Sequence, residues 1–236
     1  SITHVSMVHS ETTSGILNDI EAVGKVVKAA GKTFIMDAMS SFGGVDILVA
    51  DYGIDFLISS ANKCIQGVPG FAFIFARREK LEQSRGKARS LLLDLYEQWK
   101  SMNTDGKWRF TSPTHAVMAF AKAMEELEQE GGIPVRHARY AANQRLLALR
   151  FGEMGFKPYL DPSVQGPIIT TFYYPEGAKF GFREMYNYIK QRGYVLYPGK
   201  VMEVETFRVG NIGEIYAADI EAVSAIMKEF LQEVSA

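Results

Sequence analysis

The sequence predicts an α/β fold: a large, mostly parallel sheet domain followed by a small α+β domain. Three observations carry this. Short apolar runs alternate with a helical stripe through the first half. A long helical pattern then stops at Gly131-Gly132. Beyond it the chain changes to strands grouped around two amphipathic helices. The boundary falls near the end of the long helix, giving domains 1–130 and 131–236.

Each element follows from local pattern. Residues 5–8 alternate as a short strand. Ile16, Ile20, Val23, Val27 and Ala30 fall on one helical face, and Gly31 suits the stop. Residues 33–37 form a buried strand ended by a carboxylate. Residues 45–49, 54–59 and 71–75 are further short apolar runs, read as strands. Two helical turns are expected between Lys80 and Lys107. Ser112 is read as a cap, with Pro113 at the first helical position. That helix runs to about Glu130, and a second runs from Pro134 to near Gly155. Strands are expected at 167–174, 194–196 and 206–209, with a helix at 182–191. Asp219 is read as the cap of a final helix presenting Ile220, Val223, Met227, Phe230 and Val234.

Composition narrows the function. The chain has 236 residues, 47% hydrophobic and 22% charged, enough to bury a core without covalent staples. Lysine and arginine number 26 against 27 acidic residues, which argues against a nucleic-acid partner. Cys64 is the single cysteine, so no internal disulfide forms. The four histidines are scattered, and no metal site is expected. No apolar run reaches ~18 residues, so no membrane helix is expected. The opening residues lack a signal peptide's basic start and long apolar stretch. A reducing, cytoplasmic setting is the expectation. Ser1 opens inside an alternating strand without an initiator methionine, so the chain is expected to begin partway through a larger protein.

Dinucleotide, P-loop, zinc-protease and serine-hydrolase motifs are absent. Two residues stand out instead. Asp37 ends an apolar strand, where open α/β sheets bind ligands. From position alone it also reads as a turn or cap residue. Lys63 follows a buried strand and small residues, and precedes Cys64-Ile-Gln-Gly-Val-Pro-Gly70. Desolvation there would lower a lysine's pKa and suit it to attack on carbonyl carbon. By itself it also reads as a lysine covering a loop. As a pair, a lysine and a strand-end acid are what pyridoxal 5'-phosphate requires: an amine for its aldehyde and a partner for its ring nitrogen.

Residues 54–74 resemble the lysine signature of the class V, fold-type I pyridoxal-phosphate aminotransferases. The residue before the lysine departs from the usual histidine, glutamine or arginine: here it is Asn62, which still donates to a phosphate. Four further segments occur in order: His9-Ser-Glu-Thr-Thr-Ser-Gly15, Trp108-Arg-Phe-Thr-Ser-Pro-Thr-His115, Leu196-Tyr-Pro-Gly-Lys200 and Phe207-Arg-Val-Gly-Asn-Ile-Gly213. They narrow the resemblance to the branch acting on 2-aminoethylphosphonate and pyruvate.

The resemblance implies Lys63 as the cofactor-linked, proton-moving lysine and Asp37 as the ring-nitrogen partner. It implies Thr13 at the ring hydroxyl, with a turn residue as the alternative. Asn62 and Thr111 match phosphate contacts, the latter reaching the neighbouring subunit of a homodimer. Thr111 otherwise reads as a helix-entry residue. Arg208 matches the arginine for the substrate's acid group, and its guanidinium suits a carboxylate or phosphonate. A strand arginine paired with Glu203 or Glu205 is the alternative. His115, Lys200 and Cys64 receive no role, and no metal is implied. The family's N-terminal part, with its phosphate-binding loop and ring-stacking aromatic residue, does not occur before Ser1. An alanine–glyoxylate or serine–pyruvate type aminotransferase, or an inactive truncated fragment, stays open as an alternative.

Overall fold

The computed structural model describes residues 2–201 and 204–235. Glu203 therefore lies outside the described residues. Strands β1 (His4–Val8), β2 (Thr33–Asp37), β3 (Phe56–Ser60) and β4 (Ala72–Ala76) form one sheet in that order. The first three run parallel, and β4 is antiparallel to β3. Helix α1 (Ile20–Ala29) returns the chain from β1 to β2. Its Ile20 and Val27 join Phe34, Met36 and Leu57 in the first core.

After β4 come α2 (Arg78–Gln83), α3 (Leu95–Asp105), α4 (Thr114–Glu130) and α5 (Gly132–Glu153). A second sheet follows, built from β5 (Lys157–Pro158), β6 (Ile169–Tyr173), β7 (Tyr197–Val201) and β8 (Val204–Gly210). It is antiparallel throughout, in the order β5-β6-β8-β7. Helices α6 (Phe182–Gln191) and α7 (Ala217–Ser235) accompany it. Its core holds Phe151, Phe156, Phe172 and Phe207, with the rings of Phe151 and Phe172 centred 5.0 Å apart. Burying each such ring contributes roughly 1.5–3 kcal/mol.

Several boundaries differ from the sequence reading, each for a local reason. Residues 45–49 are not a strand: Val45 N–H turns back to the Ser41 carbonyl, and Ile47 and Val49 reach the core from a loop. Ile16 lies outside α1, because Asp19 caps the helix by accepting from Ala22 N–H. Ile16 instead bridges Gln165. Pro113, not Ser112, is the cap residue of α4, and no side chain bonds the helix end. Residues 194–196 finish the turn after α6, with Tyr194 N–H on the Ile189 carbonyl, and pairing starts at Tyr197. Asp219 sits inside α7 and reaches back to Tyr216 N–H at 2.9 Å, as the third residue of a capping box does.

Candidate active site

Parallel pairing puts the C-terminal ends of β1, β2 and β3 on one edge of the sheet. Val8 pairs with Asp37, and Asp37 with Ile58. Because β4 is antiparallel, the loop carrying Lys63 turns at this same edge, where Ser60 pairs with Ala72. Side chains stitch the three loops together. Ser59 Oγ donates to the Ala38 carbonyl at 3.1 Å, Cys64 Sγ to Ser40 at 3.1 Å, and Ser40 Oγ to Ser10 at 3.0 Å.

Asp37 is half-buried. Its Oδ1 accepts from Met39 N–H at 2.9 Å, an Asx-type turn that fixes the carboxylate at the strand end. The other oxygen has no partner among the described residues. The Lys63 loop is tight: Gln66 N–H bonds the Lys63 carbonyl and Gly67 N–H the Ala61 carbonyl, both at 2.8 Å. A Cβ at Gly67 would meet that carbonyl at 2.7 Å. Gln66 takes φ 66°, the left-handed region, without being glycine.

The Lys63 side chain is exposed and makes no hydrogen bond or ion pair among the described residues. The desolvation expected for it is therefore not supplied by this chain. Its neighbour Cys64 is fully buried, and burial pushes its thiol up to about 12, so it stays protonated.

The loop after β1 is wedged between the two sheets. Gly166 N–H donates to the Gly15 carbonyl at 2.8 Å, and Thr171 Oγ1 donates to the Thr13 carbonyl at 2.8 Å. Thr13 itself is exposed, its N–H held by Glu11 Oε1 at 2.8 Å and its hydroxyl also interacting with the Glu11 carboxylate. Beside it, His9 is buried and shares a 2.9 Å hydrogen bond with Ser41 Oγ. Burial drives the His9 imidazole down to about 4, so it is neutral at pH 7.

Arg208 reaches this loop from β8. Its Nη1 donates to the Thr12 carbonyl at 2.8 Å, and its Nε and Nη2 to the Pro198 carbonyl at 3.1 and 2.9 Å. No described carboxylate, Glu205 included, pairs with it. A guanidinium has five N–H groups, so two remain for an anion. Asn62 is half-buried with a free side-chain amide among the described residues. Thr111 is exposed ahead of α4, and no described hydrogen bond joins it to the Lys63 loop.

This donor set fits pyridoxal phosphate. It offers an unpaired amine at Lys63, a half-used carboxylate at Asp37, an amide at Asn62 and a hydroxyl at Thr13. Sequence reasoning missed the residues that hold the lysine loop from behind, namely Arg136 and Tyr140 on α5. Their signal was a polar helical stripe at Arg136, Tyr140 and Asn143, all buried, where a solvated face was the simpler reading.

The sequence profile of class-V aminotransferases matches residues 2–173. The chain is 55% identical over 231 residues to a 2-aminoethylphosphonate–pyruvate transaminase of Lysinibacillus sphaericus, covering 98% of this chain and 63% of that protein. It is 54% identical to a bifunctional phosphonoacetaldehyde hydrolase/aminoethylphosphonate transaminase of Clostridioides difficile, covering 98% of this chain and 36% of that protein. The pyridoxamine–pyruvate aminotransferase of Mesorhizobium loti superposes with a TM-score of 0.89 at 23% identity, over 100% of this chain and 61% of that one. The chain thus spans less than two thirds of the length of each of these relatives, and the last shares its fold. With the strand-end acid, the lysine loop and the matched profile together, the chain belongs to the class-V aminotransferases of fold type I.

Proposed function

We propose that the protein is a pyridoxal-phosphate-dependent aminotransferase that moves the amino group of 2-aminoethylphosphonate to pyruvate, giving phosphonoacetaldehyde and L-alanine. The observation that carries this reading is the placement of Arg208. A guanidinium with no carboxylate partner among the described residues is bonded to the loop beside the Asp37 strand, where an acidic substrate would meet the Lys63 amine. The 55% identity to a transaminase of that name supports the choice of substrate.

When bound, pyridoxal phosphate supplies an aldehyde that takes up the amine and a ring that accepts the electrons released at the substrate carbon. The chain's residues do the rest. Asp37 holds the proton on the ring nitrogen, which keeps the ring electron-poor. Lys63 Nζ removes a proton from the carbon bearing the amine and delivers it to the cofactor C4′. Asn62 and Thr111 donate to the cofactor phosphate, and Thr13 to the ring hydroxyl. Arg208 grips the phosphonate in one half-reaction and the pyruvate carboxylate in the other, through two parallel hydrogen bonds.

A cytoplasmic homodimer is part of this reading, with Thr111 serving the neighbouring subunit. Its support is that Thr111 is exposed, with no side-chain hydrogen bond among the described residues. Among the described residues no helix is long and apolar enough to cross a membrane.

The test is a visible absorption spectrum of the protein with pyridoxal phosphate, before and after 2-aminoethylphosphonate. A band that is lost with this amine and returns with pyruvate is the expected result. A band that ignores it and responds to alanine or serine would replace the substrate by that of an alanine–glyoxylate or serine–pyruvate type enzyme. Failure to form any band would assign this chain to an inactive fragment. Lys63→Ala should abolish turnover, and near-normal turnover would remove Lys63 from its role.

A further inference from the structure

We propose that Arg136 is a positioning residue for Lys63: from inside α5 its guanidinium clamps the backbone that follows the lysine. The inference rests on the reading of Lys63 as the cofactor lysine. Arg136 is 2% exposed, among the least accessible charged side chains described. Its Nη1 donates to the Cys64 carbonyl at 2.8 Å and to the Ile65 carbonyl at 3.4 Å. These are the carbonyls of the two residues that follow Lys63. Its Nε donates to Glu130 Oε2 at 2.8 Å, so the charge is paired. Burial of Glu130 works to raise its pKa, but the hydrogen bonds from Arg139 and Arg136 outweigh it, and the carboxyl lies below its ordinary value. The Glu130 carboxylate therefore stays ionised near neutrality.

A buried guanidinium is costly unless its N–H groups are used. Here Nε is used on Glu130 and Nη1 on the lysine loop. A second anchor lies one turn along α5, where Tyr140 Oη accepts from Gln66 Nε2 at 2.8 Å. Gln66 is the one non-glycine residue at positive φ among the described residues, so this bond pins the strained point of the loop. The same Oη accepts from Gly213 N–H at 3.1 Å, and Arg139 Nη1 donates to the Gly213 and Ile215 carbonyls. The N-terminal half of α5 thus ties the lysine loop to the loop that follows the Arg208 strand. Lys63 Nζ has no bond among the described residues, so its position is set by its backbone. A loop held on three carbonyl and side-chain anchors keeps the amine where it must act.

The test compares wild type with Arg136→Lys and Tyr140→Phe in the intact protein. Each is mixed with pyridoxal phosphate and reduced with borohydride, and the modified lysine is located and timed by mass spectrometry. Backbone hydrogen exchange at Gln66 and Gly67, and the melting temperature, are measured alongside. Arg136→Lys keeps a charge for Glu130 but lacks the fork that also reaches the Cys64 carbonyl. The expected result is labelling at Lys63 slowed roughly tenfold to a hundredfold, with faster exchange at Gln66 and Gly67. Wild-type rates in both measurements would overturn the proposal. If Arg136→Lys does not fold, Tyr140→Phe decides: slowed labelling with Gln66 released supports the clamp, and unchanged labelling overturns it. Wild type that labels fastest at another lysine refutes the reading of Lys63 and this inference with it. Unchanged variants labelled at Lys63 refute the clamp alone.

Discussion

The Arg208 guanidinium donates to the Thr12 carbonyl at 2.8 Å, joining the second sheet to the loop after β1 across 196 positions of sequence. The contact fixes the arginine's orientation without neutralising its charge, since carbonyl oxygens are dipoles and not anions. Arg208→Lys should therefore weaken acid-substrate binding. An ammonium cannot hold Thr12, Pro198 and a bidentate anion together. The expected outcome is a KM raised roughly tenfold with kcat changed less, measured separately for 2-aminoethylphosphonate and pyruvate. An unaffected KM for both would point to another anion site.

Asp37→Asn separates charge from geometry. Asparagine keeps an oxygen to accept from Met39 N–H, so the turn that fixes Asp37 should survive. The negative charge facing a ring nitrogen does not. Cofactor binding is expected to persist, while the rate falls roughly a hundredfold or more. Single-turnover absorbance measurements check this, and an unchanged rate would count against the ring-nitrogen contact.

The sequence made some of this legible and hid the rest for physical reasons. Thr33–Asp37 and Phe182–Gln191 match the sequence reading in full, because each has one periodicity and a clear stop. Residues 45–49 have strand composition, but Val45 N–H is taken by Ser41 within the turn, so no neighbouring strand pairs there. The lysine and the strand-end acid stood out as residue types at strand ends. The exposure of Lys63 did not, since burial depends on what packs around a loop. The contacts of Arg136 with Cys64 and Ile65 span 72 and 71 positions and leave no local pattern.

His9 should make stability fall in mild acid. Its folded pKa is pushed by burial to about 4, below the ordinary 6.5. Between these values the unfolded chain binds a proton that the folded chain does not. Stability is therefore full above about pH 6.5 and is lost as pH falls toward 4, by roughly 3 kcal/mol at most from this group. Urea midpoints measured from pH 7 to 4 should drop, and His9→Gln should flatten that slope. Equal slopes in the two proteins would show that His9 is not the group responsible.

Gly15 offers a test of the joint between the sheets. It takes φ 93°, and a Cβ there would lie 2.7 Å from the Ile169 carbonyl. That carbonyl belongs to β6, so relief requires moving the loop or the strand. Gly15→Ala should destabilise by roughly 2–4 kcal/mol, combining backbone strain with the close contact. The loop also carries the Thr12 and Thr13 carbonyls, which accept from Arg208 and Thr171. Displacing it should loosen both bonds, so substrate KM should rise even where the protein remains folded. Gly31→Ala is the control: its φ is 64°, but no atom lies within 4 Å of an added Cβ. It should cost only the backbone strain, about 1–2 kcal/mol, and leave KM unchanged. Denaturant midpoints with steady-state kinetics on both variants separate the two effects. Equal losses of stability would mean that the Ile169 contact adds nothing to the strain of the turn.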